Sequence, residues 1–246
     1  MSAQRRRVID APEGRIYPGC AIVPVIRFDT KTGGMKELLG TGFFVSEQGA
    51  LMSVNHVLGV QMIEPGEAMG VQIAPVGGGR GFVYAIVNIR ASREYDLALA
   101  DVPSAEGFQV LQISPADPEG IPDLLTWDYS TGLRGGWLPD GSEGLRMIPY
   151  MWYGKWLATY QAHEPGMPRP ARIIDVPFPV MKGASGSPLV ARETRTVVGI
   201  LFGNVARQLV PPPQMKEEGQ PWYLPVGQAL HCSHIREFLA SIAHGG

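Results

Sequence analysis

Serine, histidine and aspartate are the side chains whose settings in this chain point to covalent chemistry. Residues Gly183-Ala-Ser-Gly-Ser-Pro188 place a serine between glycines just ahead of the apolar run Pro188-Leu-Val-Ala191. A turn of that kind exposes a hydroxyl and points successive backbone N–H groups into one concavity. Such a concavity holds a developing oxyanion, each donor contributing about 2.7–4 kcal/mol to the transition state. Taken alone the pattern is weak, because Gly-Ser turns are common.

A serine hydroxyl needs a base to become nucleophilic. Of the five histidines, His163 lies in a proline-rich stretch, His231 and His234 flank a terminal helical pattern, and His244 is in the tail. His56 differs: it follows Ala50-Leu-Met-Ser-Val54 and precedes Val57-Leu58, which puts it at the end of a buried strand. The third partner would be a carboxylate that fixes the imidazole tautomer. Asp96 opens Asp96-Leu-Ala-Leu-Ala-Asp101, an alternating segment that must enter the core, and a carboxylate at the mouth of such a strand needs a partner. A core histidine and a strand-edge aspartate are the ordinary readings of these two residues taken singly.

The elements that must hold these groups are short and numerous. Thirty-one glycines and 22 prolines punctuate 246 residues that are nonetheless 45% hydrophobic. That composition excludes a disordered polymer and, with no G-X-Y period, collagen. It favours an all-β fold over a helical bundle. Six strand-like segments precede the proline-rich stretch Pro103–Pro122: Ala21–Phe28, Leu39–Ser46, Ala50–Val54, Val71–Pro75, Phe82–Ile89 and Leu97–Val102. Seven follow it: Leu124–Tyr129, Leu145–Tyr153, Trp156–Gln161, Ile173–Val176, Ser187–Ala191, Val197–Phe202 and Trp222–Val226. Gly132–Gly144 and Asn204–Pro221 read as long loops, either mobile surface or the rim of a binding groove. Helical spacing occurs at Ile235, Phe238, Leu239 and Ile242, with Ser233 as N-cap and Gly245 as stop.

The arrangement predicts two packed six-stranded antiparallel β-barrels and a C-terminal helix. Residues 1–18 form an arm, 19–115 the first barrel with His56 and Asp96, and 116–246 the second with Ser185 and the helix. Twenty-one basic against 23 acidic residues leave a net charge of −2, so no global field points to nucleic acid. The Arg5-Arg-Arg7 cluster reads as a solvated tail. No apolar run reaches transmembrane length, and Ala21–Ile26 is too short and too broken by Pro24 for a secretory leader. Cys20 and Cys232 read as independent thiols of a reducing compartment, so the expected location is cytoplasmic.

In the order His56, Asp96, Ser185, these contexts together resemble the trypsin-like (chymotrypsin-fold) serine proteases, closest in style to the bacterial high-temperature-requirement branch. Gly40-Thr-Gly-Phe-Phe-Val45 is similar to that branch's G-[ST]-G-F stretch, and Ser53-Val-Asn-His-Val57 to its T-x-A-H-V. Asp96-Leu-Ala-Leu99 matches D-[LI]-A-L, and Gly183–Pro188 matches G-x-S-G-[GS]-P. Val198-Gly-Ile200 resembles the strand lining the substrate groove, and Tyr223-Leu-Pro225 the F-A-I-P ahead of the last helix. The matches run from about residue 20 to 243. The α/β-hydrolase elbow G-x-S-x-G is excluded, because its fifth position is Ser187 and His56 comes first.

The resemblance implies a site in the cleft between the barrels. His56 would take the proton of Ser185, Asp96 would orient His56, and the amides of Gly183 and Ser185 would form the oxyanion hole. Val180 and Lys182, together with Ile200, Leu201, Phe202 and Gly203, would border the substrate. It implies a peptide or protein substrate; an unregulated cytosolic protease would be toxic, so a regulatory partner is expected as well, while no cofactor or metal, and no contact with nucleic acid or membrane, is expected. Several residues depart from the pattern. Asn55 replaces the usual small residue before His56, Ala184 replaces the aspartate that receives a freed N-terminus in zymogens, and no PDZ-like segment follows. The wall Phe178-Pro-Val-Met-Lys182 offers no carboxylate, which disfavours a basic P1 residue and favours an apolar or small one. The competing reading is a catalytically silent protease-fold module that captures extended peptides by strand addition; Asn55 is its best argument.

Overall fold

The segment Ile22-Val-Pro-Val-Ile-Arg-Phe-Asp29 (β1) is rich in branched side chains that fit a pleated strand better than a helix, and its first five residues are buried. The structure, a computed structural model, describes residues 8–9, 15–59, 62–76, 81–118, 120, 122–130, 133–137, 143–209 and 222–244. The Arg5-Arg-Arg7 cluster, the Gly77-Gly-Gly79 turn, Gly132, the Pro211-Pro-Pro213 and Lys216-Glu-Glu218 runs and Gly245 lie outside the described residues.

After β1 come β2 (Met35–Phe44), β3 (Ala50–Ser53), a single helical turn α1 (Asn55–Leu58), β4 (Glu67–Ile73), β5 (Phe82–Ala85), β6 (Val87–Ala91) and β7 (Ala98–Asp101). They pair antiparallel in the order β5-β4-β1-β2-β3-β7-β6. β5 and β6 are separated only by Ile86, so one bent strand pairs with β4 through its first half and with β7 through its second. That shared strand closes the sheet into a six-stranded barrel with no free edge.

The second half repeats the plan. Its strands are β8 (Asp123–Asp128), β11 (Tyr150–Lys155), β12 (Ala158–Ala162), β13 (Ala171–Val176), β14 (Pro188–Ala191), β15 (Val197–Leu209) and β16 (Trp222–His231). Their order is β11-β8-β14-β15-β16-β13-β12, and β11 and β12, separated by Trp156-Leu157, form the bent closing strand. Counting each bent strand once, both rings run first-second-third-sixth-fifth-fourth and back to the first. The expected double barrel is therefore present, as two copies of one topology.

Where local structure differs from the sequence reading, pairing is the reason. Leu133–Trp137 (β9), inside the stretch read as a loop, pairs antiparallel with Glu143–Met147 (β10), and the segment read as one strand over Leu145–Tyr153 divides between β10 and β11. β15 continues through Asn204–Leu209 because β16 starts early enough to pair with it. The terminal helix α2 spans Cys232–His244, two residues earlier than the Ser233 cap implied. The cap is the imidazole of His231, whose Nδ1 accepts the Ser233 N–H at 3.1 Å. Cys20 and Cys232 are both buried and unpaired. Among the described residues no helix is long and apolar enough to cross a membrane.

Candidate active site

The chain leaves β3 fully buried and turns at once into α1, where Val57 and Leu58 are the buried anchors. His56, on the opposite side of that turn, points outward with its side chain 45% exposed. It therefore sits on a helical turn rather than at a strand end; four residues are too few for helical periodicity to show. Asn55 lays its carboxamide against Gly59 at the far end of the same turn. His56 Nδ1 lies 2.5 Å from Asp96 Oδ2, and the His56 backbone N–H donates to Asp96 Oδ1 at 2.9 Å. One carboxylate thus holds both the ring and the backbone of one histidine, which favours the tautomer with the proton on Nδ1 and the basic pair on Nε2.

Asp96 is the centre of a three-residue turn closed by Leu97 N–H donating to the Tyr95 carbonyl at 2.8 Å. The turn belongs to a loop that Ser92 organises: its hydroxyl accepts the Glu94 and Tyr95 amides, both at 3.1 Å.

Ser185 lies half-buried in the turn before β14. Three amides of that turn are used inside the protein: Ala184 donates to the Met181 carbonyl, Gly186 to Leu201 and Ser187 to Ala184. Among the described residues, the Gly183 and Ser185 amides donate to no protein acceptor. Of the motif's two serines, Ser187 is fully buried and Ser185 is the one near the surface.

The first barrel grips this turn directly. Thr41 N–H donates to the Ser185 carbonyl at 2.9 Å and Thr41 Oγ1 to the Gly183 carbonyl at 2.7 Å. Ser53 Oγ donates in turn to the Thr41 carbonyl at 2.6 Å. Gly186, with φ of 90°, leaves room for this junction, since a Cβ there would overlap the Thr41 carbonyl oxygen and Ser53 Oγ. At Gly40 a Cβ would stand 2.6 Å from Val57 Cγ2 and 2.9 Å from the Ser185 carbonyl oxygen, so the His56 turn and the Ser185 turn meet there. Thr41 and Ser53 brace the Ser185 turn, a contact the sequence reading missed although both lie inside the motifs it singled out.

A cleft of about 460 Å³ opens beside this pair of turns, lined by His56, Tyr95, Asp96, Met167, Phe202 and Gly203 among others. An ion pair between Glu94 and Arg169, 3.1 Å apart, spans its rim. The expected border residues divide. Phe202 and Gly203 line the cleft. Ile200 and Leu201 are buried at 0% and 1% exposure and pack in the core instead. Val180 is buried, while Lys182 projects outward and lies 4.0 Å from Glu37. Asn204, unnoticed in sequence, bonds both backbone groups of Val180: its Oδ1 accepts the N–H and its Nδ2 donates to the carbonyl, each at 2.6 Å.

Among the described residues one cluster has metal-ligand chemistry, Asp117 with His231 and Cys232. The guanidinium groups of Arg236 and Arg172 both bond Asp117, and they hold its carboxyl down at about 2. Burial keeps His231 neutral, its pKa pushed down to about 4. Two fixed cations already occupy the anionic face, so the cluster does not suit a metal ion.

The family model for the trypsin-like peptidase domain matches residues 40–200, a span that starts at Gly40 and includes His56, Asp96 and Ser185. The chain belongs to this family. No curated protein matches the sequence. Solved protease structures share the fold at low identity. The active form of the Rv3671c protease from M. tuberculosis aligns with a TM-score of 0.57 at 18% identity, covering 90% of this chain and 80% of that one. The MamO protease domain from Magnetospirillum magneticum gives 0.56 at 17%, covering 89% and 96%. The HtrA-type protease AlgW with a bound decapeptide gives 0.55 at 18%, covering 92% of this chain and 65% of that one. What this peptidase-family domain does with the shared fold rests on its own side chains.

Proposed function

We propose that the protein is a serine endopeptidase in which Ser185, His56 and Asp96 act as nucleophile, base and orienting carboxylate. The observation that carries this reading is the two-point hold of Asp96 on His56, set beside a serine turn whose Gly183 and Ser185 amides alone lack protein acceptors. Ser185 Oγ attacks the peptide carbonyl carbon while His56 Nε2 takes its proton. The oxyanion forms against the Gly183 and Ser185 amides. Collapse expels the amine, which leaves with the proton from His56, and water then hydrolyses the acyl-enzyme by the same steps reversed in role.

Substrate choice follows from Asn204. By bonding Val180 it ties the segment before the nucleophile to β15, and the carbonyl of Phe178 crowds Gly227 from the same side. A segment tied down in this way supports a small P1 side chain. The open volume lies instead beyond His56, where Tyr95, Met167 and Phe202 would receive residues on the acyl side.

The test is labelling by a serine-directed fluorophosphonate, with Ser185→Ala as control. Labelling of the wild type alone is expected; failure of the folded wild type to label overturns the reading and favours the silent peptide-binding module. Gating by a partner or by the 204–221 segment is part of the proposal, and full activity of the purified chain on unfolded casein would refute that part.

A further inference from the structure

Asp96 is held from outside the site. Its carboxylate accepts from the amide and the ring of His56, and among the described residues no side chain of the second barrel bonds it. β15 presents Phe202 toward the cleft beside it, a residue with no hydrogen bond to offer. The direction of the carboxylate must therefore be set by the turn that carries it. That turn has only three residues, so its two flanks decide where Asp96 points. Leu97 is fully buried in the first barrel. Tyr95 extends the other way and lies against α2, its ring centroid 4.0 Å from that of His234 and its hydroxyl donating to Glu237 Oε2 at 3.3 Å.

The helix end of this contact is rigid. His234 Nε2 accepts the backbone N–H of Arg172 at 2.8 Å, which ties the ring to β13. His234 Nδ1 faces Glu237 at 3.4 Å. Ile235 and Phe238 seat the helix in the core, and Arg236 bonds the Ser114 carbonyl at 2.9 Å. Burial keeps His234 neutral, as an acceptor at Nε2 requires, and burial with the nearby Glu237 raises the Tyr95 phenol so that it remains a donor.

We infer that the C-terminal helix is part of the catalytic apparatus: Tyr95 and His234 are positioning residues that hold the Asp96 turn in the orientation at which its carboxylate meets His56. The inference rests on the proposed triad for its kinetic consequence, while its structural content concerns the His56–Asp96 bond alone. A misplacement of about 1 Å in such a constellation costs on the order of 100-fold in rate.

His234 does not line the cleft, so replacing it tests positioning without touching substrate. His234→Gln keeps an acceptor for the Arg172 amide and removes the ring. It is expected to lower kcat about 10- to 100-fold with KM unchanged. Tyr95→Phe, which keeps the ring contact, is expected to stay within about threefold of wild type. Tyr95→Ala, which also removes a wall of the cleft, is expected to lower kcat as His234→Gln does and in addition to raise KM. In an Asp96→Ala background both losses should shrink below about twofold, because a group acting only through Asp96 has nothing left to act on. Losses of the same size in both backgrounds overturn the inference. The second readout does not depend on proteolysis: the strongly hydrogen-bonded His56 Nδ1 proton gives a downfield resonance, assigned by its absence in Asp96→Ala. That signal should weaken or exchange faster in His234→Gln at unchanged thermal stability. If it weakens while Ser185 never labels, positioning stands and the peptidase reading falls. If it is unchanged, positioning falls whatever the enzyme does.

Discussion

Thr41 on β2 of the first barrel donates its backbone N–H to the carbonyl of Ser185 in the second, 2.9 Å away, while its hydroxyl holds the Gly183 carbonyl. One residue thus fixes two points of the turn that bears the candidate nucleophile, and it does so across the boundary between barrels. Removing that hydroxyl leaves a buried carbonyl unsatisfied. Thr41→Val is expected to cost about 1–3 kcal/mol of stability and to slow fluorophosphonate labelling at least tenfold. Urea unfolding beside labelling kinetics checks both, and a wild-type labelling rate in Thr41→Val would show that this hold does not position the amides.

Gly186→Ala meets two obstacles together: φ of 90°, and a Cβ placed on the Thr41 carbonyl oxygen and Ser53 Oγ. The expected loss is about 2–5 kcal/mol, with activity abolished. Gly33→Ala is the control, because its φ is 69° but nothing lies within 4 Å of its Cβ. That change should cost only about 1–2 kcal/mol and leave activity intact. Equal costs at the two positions would mean that backbone strain, not the barrel junction, governs the turn.

Asn204→Ala unties Val180 from β15. Cleavage of a peptide library is expected to spread from small P1 residues to Leu and Phe, with kcat/KM for the larger residues rising about tenfold relative to Ala. An unchanged profile would place the P1 boundary elsewhere.

Acid stability has a defined window. His231 has its pKa pushed down by burial to about 4 from 6.5. Between those values the unfolded chain binds a proton that the folded chain refuses, so stability falls as pH falls from 6.5 to 4. The loss amounts to about 3 kcal/mol for this group, and His234, also lowered by burial, acts in the same direction. Urea midpoints between pH 7 and 4 should show this slope. His231→Asn, which keeps a cap for the Ser233 N–H, should flatten it; an unaltered slope would assign it to other groups.

The three residues proposed as the triad were legible as candidates because each sits in a short local pattern: a glycine-flanked serine, a histidine after a buried strand and an aspartate at the mouth of an alternating one. The strand inventory was legible for the same reason. The β9–β10 hairpin was not, since Leu133–Trp137 contains two glycines and its strand character comes only from pairing with Glu143–Met147. Ile200 and Leu201 were expected at the groove because they belong to the right strand. Their alternation about β15 instead sends both side chains into packed interiors and leaves Phe202 and Gly203 at the cleft.

By itself the sequence determined most of the elements, the family and the candidates for the reactive groups, all of which are written in composition and in spacing of a few residues. Only the tertiary structure decided what holds those groups in place. Thr41 reaches Gly183 across 142 positions, Tyr95 reaches Glu237 across 142, and Asn204 reaches Val180 across 24. Such partners share no local pattern. They become neighbours because the closing of each barrel and the packing of the barrels and the helix on one another bring distant segments together, and the polar groups buried there, as at Thr41 and Gly183, must find one another.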